Sequence, residues 1–303
     1  MIELRTRIIE RSSFLRSLLT KLVSRLLHLS DYPFLRSDIA LLMRERDLRL
    51  NSEDILDNAL EDIHEFLRLI EPTNSRNLQL VRIGSRFDGG YVVPKNFLIE
   101  KTWMTFGLGQ NVDFENNLVE SGCIVTSFDH TLPGRPLKLD SRVHWFNLGI
   151  SSATTSSLIT LETAVKKAVK GKAWCLKSDI EGFEWSFLPQ LLDISNLPEV
   201  LVLELHKLLD FFPENCLSKK LLTLRKLILQ YEVVHVNVNN FAPVFQFDNL
   251  VMPDVLEVTM VKRSCVAIDE NFGKEPKLPF FEQLSPPNNP RHNAVKLRFP
   301  RAK

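Results

Sequence analysis

Short apolar runs that alternate with helical windows constrain the fold of this chain more than any other feature of its sequence. From about Leu78 onward, runs rich in β-branched and aromatic residues are separated by turns and by segments of helical periodicity. This alternation is typical of α/β domains with a parallel sheet. Five runs are candidate parallel strands: residues 103–107, 124–128, 143–147, 174–177 and 200–204.

The last two strand-like runs narrow the fold class. Residues 231–237 and 255–261 follow one another with no helix-length insert between them, so they can pair antiparallel. A mostly parallel sheet that ends in one antiparallel strand differs from the all-parallel nucleotide-binding sheet of dehydrogenases. We therefore expect an α/β, Rossmann-like sheet of this mixed type.

Three segments make up the predicted organisation. Residues 1–75 form a helical N-terminal extension, 76–270 the main domain, and 271–303 a Pro-rich irregular tail packed on that domain. Within the extension, residues 11–30 are basic and amphipathic. We favour a helix that caps the main domain, and peripheral contact with an anionic membrane or a targeting role is the alternative.

Charge and cysteine content limit the partners. Lys and Arg number 38 and Asp and Glu 37, so a net charge of +1 creates no global field that would recruit nucleic acid. We expect a small-molecule partner and no nucleic acid, and the sequence leaves the oligomeric state open. The four cysteines are widely spaced and predict free thiols rather than disulfides or a metal site. No transmembrane helix is evident, and a cytoplasmic location is the default expectation.

Residues that follow the strands are the candidates for chemistry, because ligands of open α/β sheets bind outside the carboxyl ends of the strands. Gly107 and Gly109 follow the first strand and would let a ligand approach the backbone, although a plain tight turn is the alternative. Val112 stands where G-x-G-x-x-G has its third glycine, which weakens a dinucleotide-binding interpretation. Asp129 ends the second strand, where its carboxylate could accept hydrogen bonds from a ribose.

The densest group of acids lies after the fourth strand. Asp179, Glu181 and Glu184 flank Gly182, and mutual repulsion could raise the pKa of one acid and make it a base. The alternative is that Asp179 and Glu181 cap the following helix. After the fifth strand, Glu204 and His206 share a face, and His206 is a candidate proton acceptor or metal ligand, or simply a packed residue.

The run 177–184, Lys-Ser-Asp-Ile-Glu-Gly-Phe-Glu, resembles the FkbM-type branch of S-adenosylmethionine-dependent methyltransferases. It is preceded by Phe-Gly-Leu-Gly at 106–109 and followed by Glu-Leu-His at 204–206. The resemblance covers residues 78–292. It implies a class I methyltransferase fold with a seven-stranded sheet whose last strand is antiparallel, S-adenosylmethionine as cofactor, and methyl transfer to an oxygen of a small molecule or sugar.

The resemblance also implies residue roles. Gly107, Gly109 and Gln110 would lie along the methionine portion of the cofactor, with Asp129 at its ribose and Asn147 at its adenine. Asp179 would lie between methyl donor and acceptor and also border the cofactor. The catalytic residues implied are Asp179, His206 and Glu184, and no metal is expected.

Three other functions stay open on sequence alone. A nicotinamide-dependent oxidoreductase could use the same Gly-x-Gly and Asp129. A metal-dependent hydrolase could use Asp179, Glu204, His206 and His235. A methyltransferase-like domain that binds partners and has lost catalysis is the third.

Overall fold

The computed structural model describes residues 52–73, 78–169, 171, 173–209, 216–247, 250–266 and 284–300. The predicted membrane-contacting or targeting segment, residues 11–30, lies outside them, and the predicted domain boundaries stay predictions. Among the residues described, no helix combines the length and the apolar character needed to cross a membrane.

Five helices and thirteen strands make up the described part of the chain. The helices are α1 (Ser52–Leu69), α2 (Asp113–Glu120), α3 (Leu161–Ala168), α4 (Glu184–Leu191) and α5 (Leu217–Gln230). The strands are β1 (Leu80–Gly84), β2 (Gly90–Pro94), β3 (Thr102–Phe106), β4 (Ile124–Phe128), β5 (His144–Phe146), β6 (Gly149–Ile150), β7 (Leu158–Ile159), β8 (Trp174–Ser178), β9 (Val200–Leu205), β10 (Tyr231–Val238), β11 (Val244–Phe247), β12 (Leu250–Pro253) and β13 (Leu256–Lys262).

A seven-stranded sheet of order β10-β13-β9-β8-β3-β4-β5 forms the centre of the fold. Strands β3, β4, β5, β8 and β9 pair parallel, and β13 runs antiparallel to both β9 and β10. The fold class is therefore α/β and Rossmann-like, with the last strand antiparallel, as the sequence predicts. All seven predicted strands are confirmed.

Helices cover both faces of this sheet, which is why its central strands are almost continuously apolar. One core cluster includes Phe66 of α1, Leu161 of α3 and Leu224 of α5. The other includes Phe114 of α2 and Val92 of β2. Because β3, β8 and β9 are buried along their whole length, a charged residue inside one of them requires a local partner.

A β-hairpin formed by β1 and β2 lies against the sheet. Its strands pair antiparallel, with a register that runs from Leu80 opposite Pro94 to Gly84 opposite Gly90. The hairpin contacts β9 and β13, and Thr259 Oγ1 donates a hydrogen bond to the carbonyl of Val92 at 2.6 Å. This docking carries Tyr91 into the protein interior, where its side chain is 2% exposed.

The described part of the tail, residues 284–300, packs on the main domain. Asn240 connects the two, since its Nδ2 donates to the carbonyls of Asn289, His292 and Asn293. Its Oδ1 accepts a hydrogen bond from the backbone N–H of Asn289 at 2.7 Å. The hairpin of β11 and β12 between the last two sheet strands was not predicted from the sequence.

Candidate functional site

The carboxyl ends of β3, β4 and β8 bring three predicted segments together. Gly107 donates its N–H to the carbonyl of Phe128 at 3.2 Å, and Asp179 donates its N–H to the carbonyl of Phe106 at 3.1 Å. A Cβ built on Gly107 would lie 1.5 Å from the carbonyl oxygen of Asp179. The Gly-x-Gly loop, the end of β4 and the acidic loop after β8 therefore adjoin at one edge of the sheet.

The two glycines of the loop have different surroundings. Gly107 has a φ of +74° and is crowded by the backbone of Asp179, so close packing between strand ends requires a glycine there. Gly109 has a φ of +61°, yet a Cβ on it would meet no heavy atom within 4 Å. Gly109 and the exposed Gln110 thus face open space, and Gly109 is the glycine that a ligand could approach.

Asp129 holds the Gly-x-Gly loop in place. Its Oδ2 accepts hydrogen bonds from the backbone N–H groups of Leu108, at 3.0 Å, and Gly109, at 2.9 Å. Its Oδ1 accepts from the backbone N–H and the Oγ1 of Thr131, at 2.8 and 2.6 Å. Burial alone would raise the pKa of Asp129, but these hydrogen bonds outweigh it and lower the pKa. The chain itself thus provides four donors for this carboxylate.

Asn147 follows β5 at the far side of the same edge. Its side chain is exposed, and its Nδ2 donates to the carbonyl of Leu132 at 3.2 Å. Nearby, a Cβ on Gly149 would lie 2.3 Å from His130 Nδ1, so this stretch packs closely on the loop after β4. The predicted adenine-side segment therefore borders the loop that begins at Asp129.

Glu184, the first residue of α4, anchors the acidic loop. Its side chain is fully buried, and its Oε1 accepts a hydrogen bond from the backbone N–H of Ile180 at 2.8 Å. The same oxygen lies 3.2 Å from His206 Nδ1. Glu184 therefore fixes both the loop and the imidazole. It thereby satisfies a backbone donor that precedes the helix, whereas no side-chain hydrogen bond caps α4 at Phe183, so the capping expected of Asp179 and Glu181 is not seen.

His206 lies among four carboxylates. Its Nε2 lies 3.6 Å from Glu181 and 4.0 Å from both Asp179 and Glu204, while Nδ1 faces Glu184. Burial alone would lower the pKa of His206, but Glu184 above all, together with other acids nearby, outweighs this and raises it to about 9. The imidazole is consequently a cation at neutral pH.

Two functional candidates at this edge, Lys177 and Tyr91, received no role from the sequence. Lys177 Nζ donates to the carbonyl of Gly107 at 2.7 Å and lies 3.6 Å from Asp179 Oδ2. Tyr91 Oη donates to the same Oδ2 at 2.8 Å. A charged residue within an otherwise apolar buried strand was a signal for Lys177, whereas nothing in the hairpin sequence placed Tyr91 beside Asp179.

The metal constellation suggested by the sequence is only partly assembled. Among the residues described, Asp179, Glu181 and His206 can each offer a ligand atom within 4.8 Å of the others, but Glu204 and His235 do not join this group. His235 bonds Ser285 through Nε2 at 2.8 Å, and burial lowers its pKa to about 3. Within this group, His206 Nε2 lies at ion-pair distance from both acids, 3.6 Å from Glu181 Oε2 and 4.0 Å from Asp179 Oδ1.

Comparisons with known proteins identify no family for this chain. No family model matches it, and no curated protein matches it. A crystal structure from Pyrococcus horikoshii, described as that of a "putative RNA methyltransferase", matches with a TM-score of 0.28 and 10% identity, over 67% of this chain and 98% of that one. At this similarity the match supports no argument about substrate or mechanism, and the fold class follows from the sheet itself.

One expectation about partners is corrected. The sequence-based prediction that nucleic acid is not a partner was wrong as stated, because its premise does not hold. The prediction relied on a net charge of +1, and a charge summed over the whole chain does not report on local surfaces. Nucleic acid is therefore not excluded as a partner.

Proposed function

We propose that this chain is an S-adenosylmethionine-dependent methyltransferase of the FkbM type, which transfers a methyl group to an oxygen of a small molecule or sugar. One observation carries the proposal. The Gly109 backbone, which faces open space, and the acids around Asp179 lie at the same carboxyl edge of a mixed seven-stranded sheet. This is the edge where open α/β sheets bind their ligands.

The charges at this edge suit a cationic ligand. The carboxylates of Asp179, Glu181 and Glu184 outnumber the cations Lys177 and His206 that accompany them. S-Adenosylmethionine would supply a methyl group carried on a sulfonium cation. Excess negative charge in a partly buried setting attracts such a cation more strongly than it attracts a neutral analogue.

In the proposed reaction, Asp179 accepts the proton of the acceptor hydroxyl at Oδ1. Its other oxygen, Oδ2, is already held by Tyr91 and faces Lys177, so the carboxylate has a fixed orientation. A fixed orientation contributes most to the rate of methyl transfer, because the acceptor oxygen has to be in line with the transferred carbon. His206 carries a proton at neutral pH and in this proposal balances the surrounding acids.

The loop would hold the cofactor through its backbone. The cofactor would approach the backbone at Gly109. Asp129 fixes the loop conformation by accepting hydrogen bonds from the backbone N–H groups of Leu108 and Gly109. A ribose contact by Asp129 would have to replace a donor from Thr131. Asn147 and Gln110 are proposed to border the adenine and the methionine portion respectively.

Calorimetric titration with S-adenosylmethionine, S-adenosylhomocysteine and NAD tests the proposal. We expect S-adenosylmethionine to bind more tightly than the uncharged S-adenosylhomocysteine, and NAD not to bind. The substitution D179N should reduce the preference for the charged form, whereas D193N, at an exposed position beyond α4, should keep it. Tight NAD binding with no response to S-adenosylmethionine would favour the oxidoreductase and overturn the proposal.

A further inference from the structure

A buried hydroxyl shared by two acids is left unexplained by the proposed reaction. Tyr91 Oη lies 2.8 Å from Asp179 Oδ2 and 3.0 Å from Glu204 Oε2. Burial raises the pKa of Tyr91, and the acids nearby raise it further, so the phenol keeps its proton. One phenol proton can be donated to only one carboxylate at a time. The contact between the phenol oxygen and the other carboxyl group is favourable only if that carboxyl group is protonated and donates a hydrogen bond to the phenol oxygen.

Asn239 shows which oxygen of Glu204 carries that proton. The backbone N–H of Phe241 donates to Asn239 Oδ1 at 3.0 Å, which fixes the orientation of the amide. Asn239 Nδ2 therefore faces Glu204 and donates to Oε1 at 2.5 Å. Oε1 accepts as a carbonyl-type oxygen, and Oε2, which faces Tyr91, is left as the hydroxyl oxygen.

The surrounding charges place the proton on Glu204 rather than on Asp179. Asp179 is 24% exposed and has Lys177 Nζ at 3.6 Å, so its carboxylate has both solvent and a cation as partners. Glu204 is 4% exposed and, within the described part of the chain, has its ion-pair contact only with His206 at 4.0 Å.

The acidic neighbours of Glu204 fit the same assignment, and they outweigh the cation His206. Glu257 of β13 lies directly across from it in the sheet register. Burial raises the pKa of Glu204, Asp179 and Glu257 raise it further, and His206 lowers it less. Lys177, on the neighbouring strand, is held by Gly107 and faces Asp179.

We propose that Glu204 is a neutral carboxylic acid in the folded protein and that it positions Asp179 through a hydrogen-bond chain in which Asn239 donates to Glu204, Glu204 to Tyr91, and Tyr91 to Asp179. In this chain each oxygen has one defined direction of donation, so the carboxylate of Asp179 is fixed from the protein interior. The positioning role rests on the proposed methyl transfer. The protonation state of Glu204 does not.

Infrared difference spectroscopy of the ligand-free protein tests the protonation state. Because glutamine is the neutral isostere of a protonated glutamate, E204Q keeps both hydrogen bonds, with Nε2 donating to Tyr91 and Oε1 accepting from Asn239. The spectrum of the wild type minus that of E204Q at neutral pH should contain a protonated-carboxyl band. A difference spectrum with carboxylate bands instead would overturn the proposal, whether or not S-adenosylmethionine binds.

E257Q is the matched control. Both oxygens of Glu257 accept from amide donors, Asn288 at 2.6 Å and Asn237 at 3.0 Å, and Arg82 lies at 3.9 Å. In E257Q the amide Nε2 would face the Nδ2 of one of these asparagines, so two donors would meet. We therefore expect the melting temperature of E257Q to fall by at least about 4 °C. E204Q should stay within about 2 °C of the wild type. Equal losses in the two variants would contradict a neutral Glu204.

The positioning role is tested by the pH dependence of S-adenosylmethionine binding. Y91F removes the donor to Asp179, so the pH midpoint of binding should move away from that of the wild type. E204Q should keep the wild-type midpoint, because it preserves the chain to Tyr91. A midpoint that is unchanged in Y91F would refute positioning. Absence of binding in the wild type would instead refute the proposed function and leave the infrared result standing.

Discussion

Lys177 donates a hydrogen bond from its buried ammonium group to the carbonyl oxygen of Gly107 at 2.7 Å. The contact joins β8 to the loop after β3, and the same ammonium group lies 3.6 Å from Asp179. Burial alone would lower the pKa of Lys177, but the acids nearby, Asp179 foremost, outweigh it and raise the pKa. Lys177 is therefore a fixed cation between the proposed cofactor loop and the proposed base.

Substitution of Lys177 should be strongly destabilising. K177M leaves the Gly107 carbonyl and the Asp179 carboxylate without their cation, and breaking a buried charged contact costs about 3–5 kcal/mol. Chemical denaturation measures the loss. K166M is the control, since Lys166 pairs with Glu162 on the exposed face of α3 and should unfold like the wild type. Similar stabilities for K177M and the wild type would show that this contact contributes little.

The two loop glycines should respond differently to alanine. In G107A the new Cβ would meet the Asp179 carbonyl at 1.5 Å, so the strand ends would have to separate, and we expect loss of the folded state. In G109A no atom lies within 4 Å, and the cost is the left-handed backbone, about 1 kcal/mol. Thermal melts compare the two variants. If G109A also weakens S-adenosylmethionine binding, the open space beside Gly109 belongs to the ligand site.

Asp129 should contribute stability that is lost in acid. Its folded pKa lies below the ordinary value of 3.8, so the contribution is present above that value and disappears as the pH falls through the lower folded pKa. D129N places an amide donor against a backbone or Thr131 donor and should cost about 1–3 kcal/mol at pH 7. Urea unfolding at pH 7 and in acid measures both effects. Equal loss at the two pH values would contradict the assignment.

His206 should give the opposite pH dependence. Its folded pKa of about 9 lies above the ordinary 6.5, so its contribution is complete below pH 6.5 and is lost as the pH rises through about 9. H206Q should make the melting temperature less dependent on pH between these two values. H144Q, at an exposed position on β5, should keep the pH dependence of the wild type. Titration of the imidazole by NMR gives the pKa directly, and a value below 7 would refute the charge pairing described here.

The sheet was predictable because its central strands β3, β8 and β9 are buried on both faces and therefore carry their own signal in the sequence. The antiparallel last strand followed from the short connection between residues 238 and 255. The β11–β12 hairpin was missed because a short insertion of polar and apolar residues has no distinctive period. The predicted role of Gly107 concerned a ligand, whereas in the structure this glycine accommodates the backbone of Asp179.

The site was predictable only as far as the strand ends could locate it. Asp129 and Asp179 follow their strands directly, so the topology places both at one edge. Their hydrogen-bond partners come from elsewhere, because Tyr91 enters through a hairpin, and Asn239 follows a strand two positions from Glu204 in the sheet. Such contacts between distant segments have no local pattern that a sequence could show.

The sequence by itself determined the α/β class, the seven strands and the strand ends at which acids and glycines lie. The reason is that the apolar runs, and the residues that follow each run, are local features of the chain. Only the tertiary structure decided which groups form hydrogen bonds with one another. Asp129 binds the loop, Glu184 binds His206, and Tyr91 joins Asp179 to Glu204. The physical reason is that hydrogen-bond partners and protonation states depend on distances of a few ångströms between residues far apart in the chain, and packing alone fixes those distances.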